Sequence, residues 1–202
     1  MRDLLDGAVG ELMELDAYRA DFEENFWTTT APGFWKLERQ QFFQEPGNKS
    51  WEAFAQGDWQ ESLRIIDADR PEMIEYYRKV EARGFVTRRV RVVEQPIIPY
   101  LQWELRVLRM RDQYGGSVRI VTGEQVAEFE REGPLPEIYT HGTTVMYQAV
   151  YGDDGVLESA RRFIDRDLVV RCQRVIQDLY AIGQPLGPFF AEHVAALTPP
   201  LP

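Results

Sequence analysis

The stretch from Phe85 to Val121 limits the possible folds of this chain more than any other. Residues 85–93 are rich in β-branched side chains and alternate in polarity, which predicts a strand. Pro96 and Pro99 break that strand, and residues 98–114 then predict a helix. Gly115-Gly116 stop the helix before a second strand at 117–121. A strand, a helix and a strand in quick succession form a crossover, with the two strands parallel.

The rest of the chain is read around this unit. Residues 2–16 predict a helix, with Leu4, Leu5, Val9, Leu12 and Met13 on one stripe. Residues 27–33 read as a loop, 34–39 are too short to assign, and Glu45-Pro46-Gly47-Asn48 is a turn. Ser50 and Asp58 are placed as caps of two helices, and Pro71 in the first turn of a third that Gly84 ends. A short helix is expected at 123–131. Strands are expected at 138–140, 144–151 and 156–163, the last two joined by the hairpin turn Gly152-Asp153-Asp154-Gly155. Helices at 166–182 and 188–197 and a loose tail at 198–202 complete the chain. The expected fold is α+β or mixed α/β. A helical N-terminal region (1–83) precedes a mixed sheet of about five strands (84–197), covered by helices at 98–114 and 166–182. The two parts are read as one compact domain.

Charge bounds the function. The net charge of −10 disfavours direct nucleic-acid binding, which needs cations against phosphate. The balance is uneven, however: residues 78–111 carry nine basic and three acidic side chains. Cys172 is the only cysteine, so no internal disulfide or cysteine-based metal cluster can form, and a reducing, cytoplasmic setting is expected. No apolar run reaches the ~20 residues of a membrane span, and the N-terminus does not read as a secretory signal.

The candidate site comes from the crossover unit. On the first strand Arg89 and Arg91 share one face, while Arg88 shares the other with Val90 and Val92. On the following helix Gln102, Arg106, Arg109 and Gln113 form a face expected to be solvated. Glu104 and Arg111 fall on the opposite, inward side, near Tyr100, Val107 and Leu108. A buried carboxylate needs a partner. Arg89, Arg91, Tyr100, Trp103, Glu104 and Arg111 therefore read either as an anion pocket or as a salt-bridge network tying helix to sheet. Trp35, Glu38, Arg39, Trp51 and Trp59 form a second group, read as an interface or as helical packing.

Other chemistry is thinly represented. His141 lies between two expected strands, where an exposed side chain is the default and a general base the alternative. His193 offers less, and the two histidines lack zinc-site spacing, so no metal is expected. Cys172 reads as a buried thiol. Asp153 and Asp154 are turn residues, without the rest of a calcium loop. There is no Walker loop, no G-x-G-x-x-G and no G-x-S-x-G, so no cofactor is expected.

Several segments together resemble a family of actinobacterial proteins with no established activity. They are residues 34–40 (FWKLERQ), 43–48 (FQEPGN), 50–54 (SWEAF), 89–93 (RVRVV), 99–105 (PYLQWEL), the strands around Tyr147 and Tyr151, and Gly183-Gln184-Pro185-Leu186 with Phe189-Phe190. The resemblance covers nearly the whole chain after residue 30. It implies an accessory role beside helix-turn-helix regulators, and a second half similar to phospholipase-D-like folds without their His-x-Lys motif. Neither His141 nor His193 is followed two residues on by Lys. Where the family pattern has Gly-Glu-x-Ile-Arg, this chain reads Gly116-Ser117-Val118-Arg119. The functional expectation is a non-enzymatic binding or accessory regulatory protein that contacts a protein partner or an anionic small molecule. The alternative is an enzyme with Glu104 or Glu38 as base.

Overall fold

The computed structural model describes residues 4–200. One eight-stranded mixed sheet organises them, in the order β1-β7-β6-β5-β2-β3-β4-β8. The strands are β1 (Glu11–Glu14), β2 (Phe34–Glu38), β3 (Thr87–Val93), β4 (Gly116–Thr122), β5 (Ile138–His141), β6 (Val145–Tyr151), β7 (Leu157–Phe163) and β8 (Gln184–Pro185). The helices are α1 (Leu15–Trp27), α2 (Lys49–Ala55), α3 (Trp59–Ala68), α4 (Arg70–Ala82), α5 (Pro99–Tyr114), α6 (Gly123–Val126), α7 (Arg166–Ile182) and α8 (Leu186–His193).

The crossover unit forms as the sequence demands. β3 and β4 pair in parallel, from Thr87 opposite Gly116 to Val93 opposite Thr122, and α5 connects them. Pro99 lies in the first turn of α5, where its missing N–H costs nothing. Gly115 ends the helix with φ +130, a conformation that a side chain resists. At Gly116 a Cβ would collide with the Tyr77 hydroxyl, so α4 can lie close to the start of β4.

β2 is the hinge of the topology. It runs parallel to β3 on one side and antiparallel to β5 on the other. The parallel half of the sheet therefore meets an antiparallel meander of β5, β6 and β7 at this strand. On one face, Trp35, Leu37, Val90, Val92, Ile138 and Met146 pack under α7, which contributes Leu168, Val169, Cys172, Ile176 and Leu179. On the other face, α5 packs over β3 and β4 beside α8, and α1 crosses the antiparallel half with Tyr18, Phe22 and Phe26.

Several expectations are overturned. The first part is not purely helical, because β1 and β2 both join the sheet, which has eight strands instead of about five. The helix expected at 2–16 does not form over residues 4–14 (2 and 3 lie outside the described residues): Gly7 turns the chain at φ +69, and residues 11–14 pair with β7. Pairing at the sheet edge outweighs a weak apolar stripe. α1 begins only at Leu15, and its inward Tyr18, Phe22 and Phe26 were hidden among acidic neighbours. Asn48, not Ser50, caps α2: its side chain accepts hydrogen bonds from the Ser50 and Trp51 N–H groups. Asp58 caps α3 as expected. The helix expected at 123–131 stops at Val126, and the last helix runs from Leu186 to His193 instead of 188–197. Thr198, Pro199 and Pro200 have no regular structure, and residues 201 and 202 of the expected tail lie outside the described residues.

Candidate functional site

β2 and β3 send charged side chains to the same face of the sheet. Alternation puts Lys36 and Glu38 of β2 beside Arg89 and Arg91 of β3, in parallel register with Lys36 opposite Arg89 and Glu38 opposite Arg91. α5 approaches this face from β4 and brings Tyr100, Trp103, Glu104, Val107 and Arg111 over it.

Arg91 is fully buried. Its Nε donates to Glu104 Oε2 at 2.7 Å, and Nη1 donates to the Gln40 carbonyl at 2.6 Å. Nη1 also reaches the Glu38 and Val92 carbonyls at 3.4 and 3.2 Å. These contacts hold the chain where it leaves β2. The same turn is gripped by Glu137 Oε1, which accepts from the Arg39 and Gln40 N–H groups at 2.7 and 2.5 Å. Gln41 completes the tie by donating to the Val92 carbonyl and accepting from the Glu94 N–H.

Glu38 is the anion at the centre of the charged floor. Arg89 Nη1 donates to both of its oxygens, at 2.7 and 2.6 Å, and Lys36 Nζ lies 2.7 Å from Oε1. Burial alone would raise its pKa, but Arg89, Lys36 and Arg91 more than offset that and hold the carboxyl well below the usual range. Glu104 moves the other way. Burial pushes it up to about 7, and Arg91 only partly offsets this while the charge on Glu38 adds to it. One of the two carboxylates stays ionised, and the other is poised near neutrality.

A cleft opens above this floor, in two adjoining lobes. One lobe, of about 380 Å³, is bounded by Glu38, Glu45, Tyr100, Trp103 and Glu104. The other, of about 530 Å³, is bounded by the rings of Tyr18, Phe22, Phe26, Phe34, Tyr76 and Tyr139. Lys36, Arg89, Arg111, Tyr151 and Leu157 line both. In the first lobe the Tyr100 hydroxyl donates to Glu45 Oε1 at 2.9 Å. The indole N–H of Trp103, 1% exposed, has no hydrogen-bond partner among the described residues. The Arg111 guanidinium makes no ion pair or hydrogen bond among the described residues. Each lobe falls in the ~300–1,000 Å³ range of small-molecule sites.

Five of the six residues nominated from the sequence line one lobe: Arg89, Tyr100, Trp103, Glu104 and Arg111. Arg91 lies behind it as the buried tie between sheet and helix. Arg91 thus makes the ion pair between helix and sheet, whereas Arg89 and Arg111 border a cavity. Lys36, Tyr76, Tyr139 and Tyr151 were missed. For Lys36 the signal was present: Phe34, Lys36 and Glu38 alternate in β2, a segment too short to assign from sequence.

The second nominated group does not form one surface. Trp35 is on the opposite face of the sheet, with Tyr180 at 5.4 Å and the Arg88 guanidinium over its ring. Glu38 is in the cleft, and Arg39 is bound to Glu130 and Glu94 at 2.6 and 2.8 Å. Trp59 is buried beneath Arg106, and Trp51, on α2, packs half-buried against the core cluster that contains Trp59. The face of α5 expected to be solvated is covered over its first half, whereas Arg109 is half-buried and Gln113 exposed. Gln102 is buried, and Arg106 lies between Trp59 and Phe190. Helical periodicity cannot see that α3 and α8 return to this side.

His141 is buried, not exposed. It is ringed by Phe22, Phe26, Phe34 and Tyr147, and its Nδ1 meets the Thr29 hydroxyl at 3.1 Å. Burial, only partly offset by the charge on Asp21, lowers its pKa to about 3. Cys172 is buried as expected, and burial raises its thiol to about 11. No group of His, Cys, Asp and Glu suited to a metal occurs among the described residues.

A profile of the family described as a domain of unknown function (DUF6879) matches residues 20–191. The chain belongs to this family. The matched region includes β2, β3 and α5 and every residue named in the cleft except Tyr18. A search of curated proteins gave no match.

Three outcomes follow from this geometry. Arg91→Ala removes a fully buried charge and strands Glu104, so it should cost about 3–5 kcal/mol. Arg111→Ala loses no partner and should stay within about 0.5 kcal/mol of the parent in urea denaturation. For His141, the unfolded imidazole takes up a proton below its ordinary pKa of 6.5, whereas the folded one resists down to about 3. This residue's contribution to stability is thus intact above pH 6.5 and declines as pH falls through that window. His141→Gln should remove the loss, so that the stability gap between parent and variant narrows by about 1.4 kcal/mol per pH unit from pH 6 to 4.

Proposed function

We propose that this protein binds an anionic small molecule in the cleft over β2 and β3, as a non-enzymatic accessory or regulatory protein. One observation carries the reading: among the described residues Arg111 has no ion-pair or hydrogen-bond partner, and it lines, with Lys36 and Arg89, a cavity with room for a ligand. Glu38 neutralises only part of the positive charge on the floor. A carboxylate or phosphate entering there would meet two guanidinium groups and an ammonium, the donors that suit such anions. An internal carboxylate already shows the field, since Glu38 is held ionised against the cost of burial.

The resemblance to proteins encoded beside helix-turn-helix regulators fits a role in which ligand occupancy alters a contact with a partner protein. A cytoplasmic setting suits that role. No helix among the described residues is long and apolar enough to cross a membrane. The likeness of the second half to phospholipase-D-like folds is taken as one of ancestry, because no His-x-Lys is present.

The raised pKa of Glu104 favours a second reading, in which this carboxyl acts as general acid or base on a ligand bound at the same floor. The two readings share a site and differ in turnover.

The test is thermal unfolding against inorganic phosphate, mononucleotides and small carboxylates. At least one should raise the midpoint, the shift should shrink as salt screens the cleft, and Arg111→Gln should abolish it. Absence of a shift with every anion would remove the anion reading. Glu104→Gln distinguishes the two forms: binding retained and no ligand conversion by the parent fits a binding protein, whereas conversion lost only in the variant makes Glu104 a catalytic residue.

A further inference from the structure

The cationic floor does not stand alone. Lys36 Nζ lies 5.5 Å from the centroid of the Tyr139 ring, so one edge of the charged row is also the edge of an aromatic wall. That wall is built from three elements. α1 gives Tyr18, Phe22 and Phe26, the sheet gives Phe34 and Tyr139, and α4 gives Tyr76. Its rings already support one another edge to face and by stacking: Phe22 meets Tyr139 at 5.5 Å, and Tyr76 stacks on Phe26 at 5.8 Å. A ring entering this lobe would find both faces and edges to pack against.

The polar groups of the lobe are arranged along one direction. Lys36, Arg89 and Arg111 lie at the border with the other lobe, whereas Asp69 and Glu72 line the aromatic lobe but not its neighbour. An anionic group is therefore attracted to one end and repelled from the other. The Tyr76 and Tyr151 hydroxyls have no hydrogen-bond partner among the described residues, and burial holds both in the protonated, donating form.

Resting on the anion reading above, we infer that the ligand is an aromatic acid. Its planar ring occupies the lobe between α1 and α4, and its carboxylate or phosphate lies on Lys36, Arg89 and Arg111. A ringless anion would leave the aromatic wall wet, and a neutral ring would leave Arg111 unpaired. The far end of the ring can carry an N–H or O–H group toward Asp69 and Glu72, but not a second negative charge.

Calorimetric titration of the full chain tests this with five probes: indole-3-acetate, phenyl phosphate, inorganic phosphate, succinate and neutral indole. The first two supply carboxylate and phosphate versions of one chemistry, and their ranking tells which head group is preferred. Both should bind about tenfold or more tighter than phosphate, succinate or indole. Tyr76→Ala should weaken the aromatic acids about fivefold and leave the ringless anions unchanged. Saturation-transfer NMR on the unaltered protein gives a second readout, with ring protons more strongly saturated than the methylene of indole-3-acetate. If succinate or phosphate binds as tightly as the aromatic acids, the ligand class is wrong while the anion site stands. If indole binds as tightly as its acetate, the cationic row is not used and both inferences fail. No binding by any probe likewise overturns both.

Discussion

The buried guanidinium of Arg91 is the contact on which the rest of the arrangement depends. A charge this deep is tolerated only because Glu104 and the carbonyls after β2 surround it. Those carbonyls are free because β2 ends at Glu38 and the chain leaves the sheet. One side chain therefore fixes the position of α5, the exit of β2 and the protonation environment of Glu104. A well-packed apolar triad of the same volume would hold the fold as well or better. What the ion pair adds is register: it sets which turn of α5 faces which residue of β3.

The cleft is a consequence of β2 having different neighbours on its two sides. α5 lies over the parallel half of the sheet and α1 over the antiparallel half, so the two helices part above β2 and β3. The side chains that line that gap from below are Lys36, Glu38 and Arg89, which strand alternation had aimed there. Ligand sites in open sheets favour places where the strand order changes direction. Here that geometry coincides with the row of Lys36, Arg89 and Arg111 and with a wall of rings.

Local sequence was a good guide where an element is bounded by backbone chemistry. Pro99 and Gly115 delimit α5, Asp58 caps α3, and the Gly152–Gly155 turn joins β6 to β7. It was a poor guide where an element exists only because something distant pairs with it. β1 is a strand because β7 lies beside it, and β2 because β3 and β5 flank it. The polarity of α5 misled for the same reason, since Gln102 and Arg106 are covered by chain segments far away in sequence. His141 shows the limit for function: nothing in its neighbours along the chain foretells a cage of four aromatic rings.

The sequence by itself determined that Arg89 and Arg91 share a face, that Glu104 turns inward on the next helix, and that the strands on either side of that helix run parallel. These follow from periods of two and 3.6 residues, which act over a few positions. Only the tertiary structure decided that Arg91 is sealed while Arg89 and Arg111 stay open to a cavity. It also decided that Lys36 joins them and that rings from α1 and α4 wall the space. Burial is a property of what packs on a side chain from elsewhere, and no local periodicity encodes which distant helix will arrive.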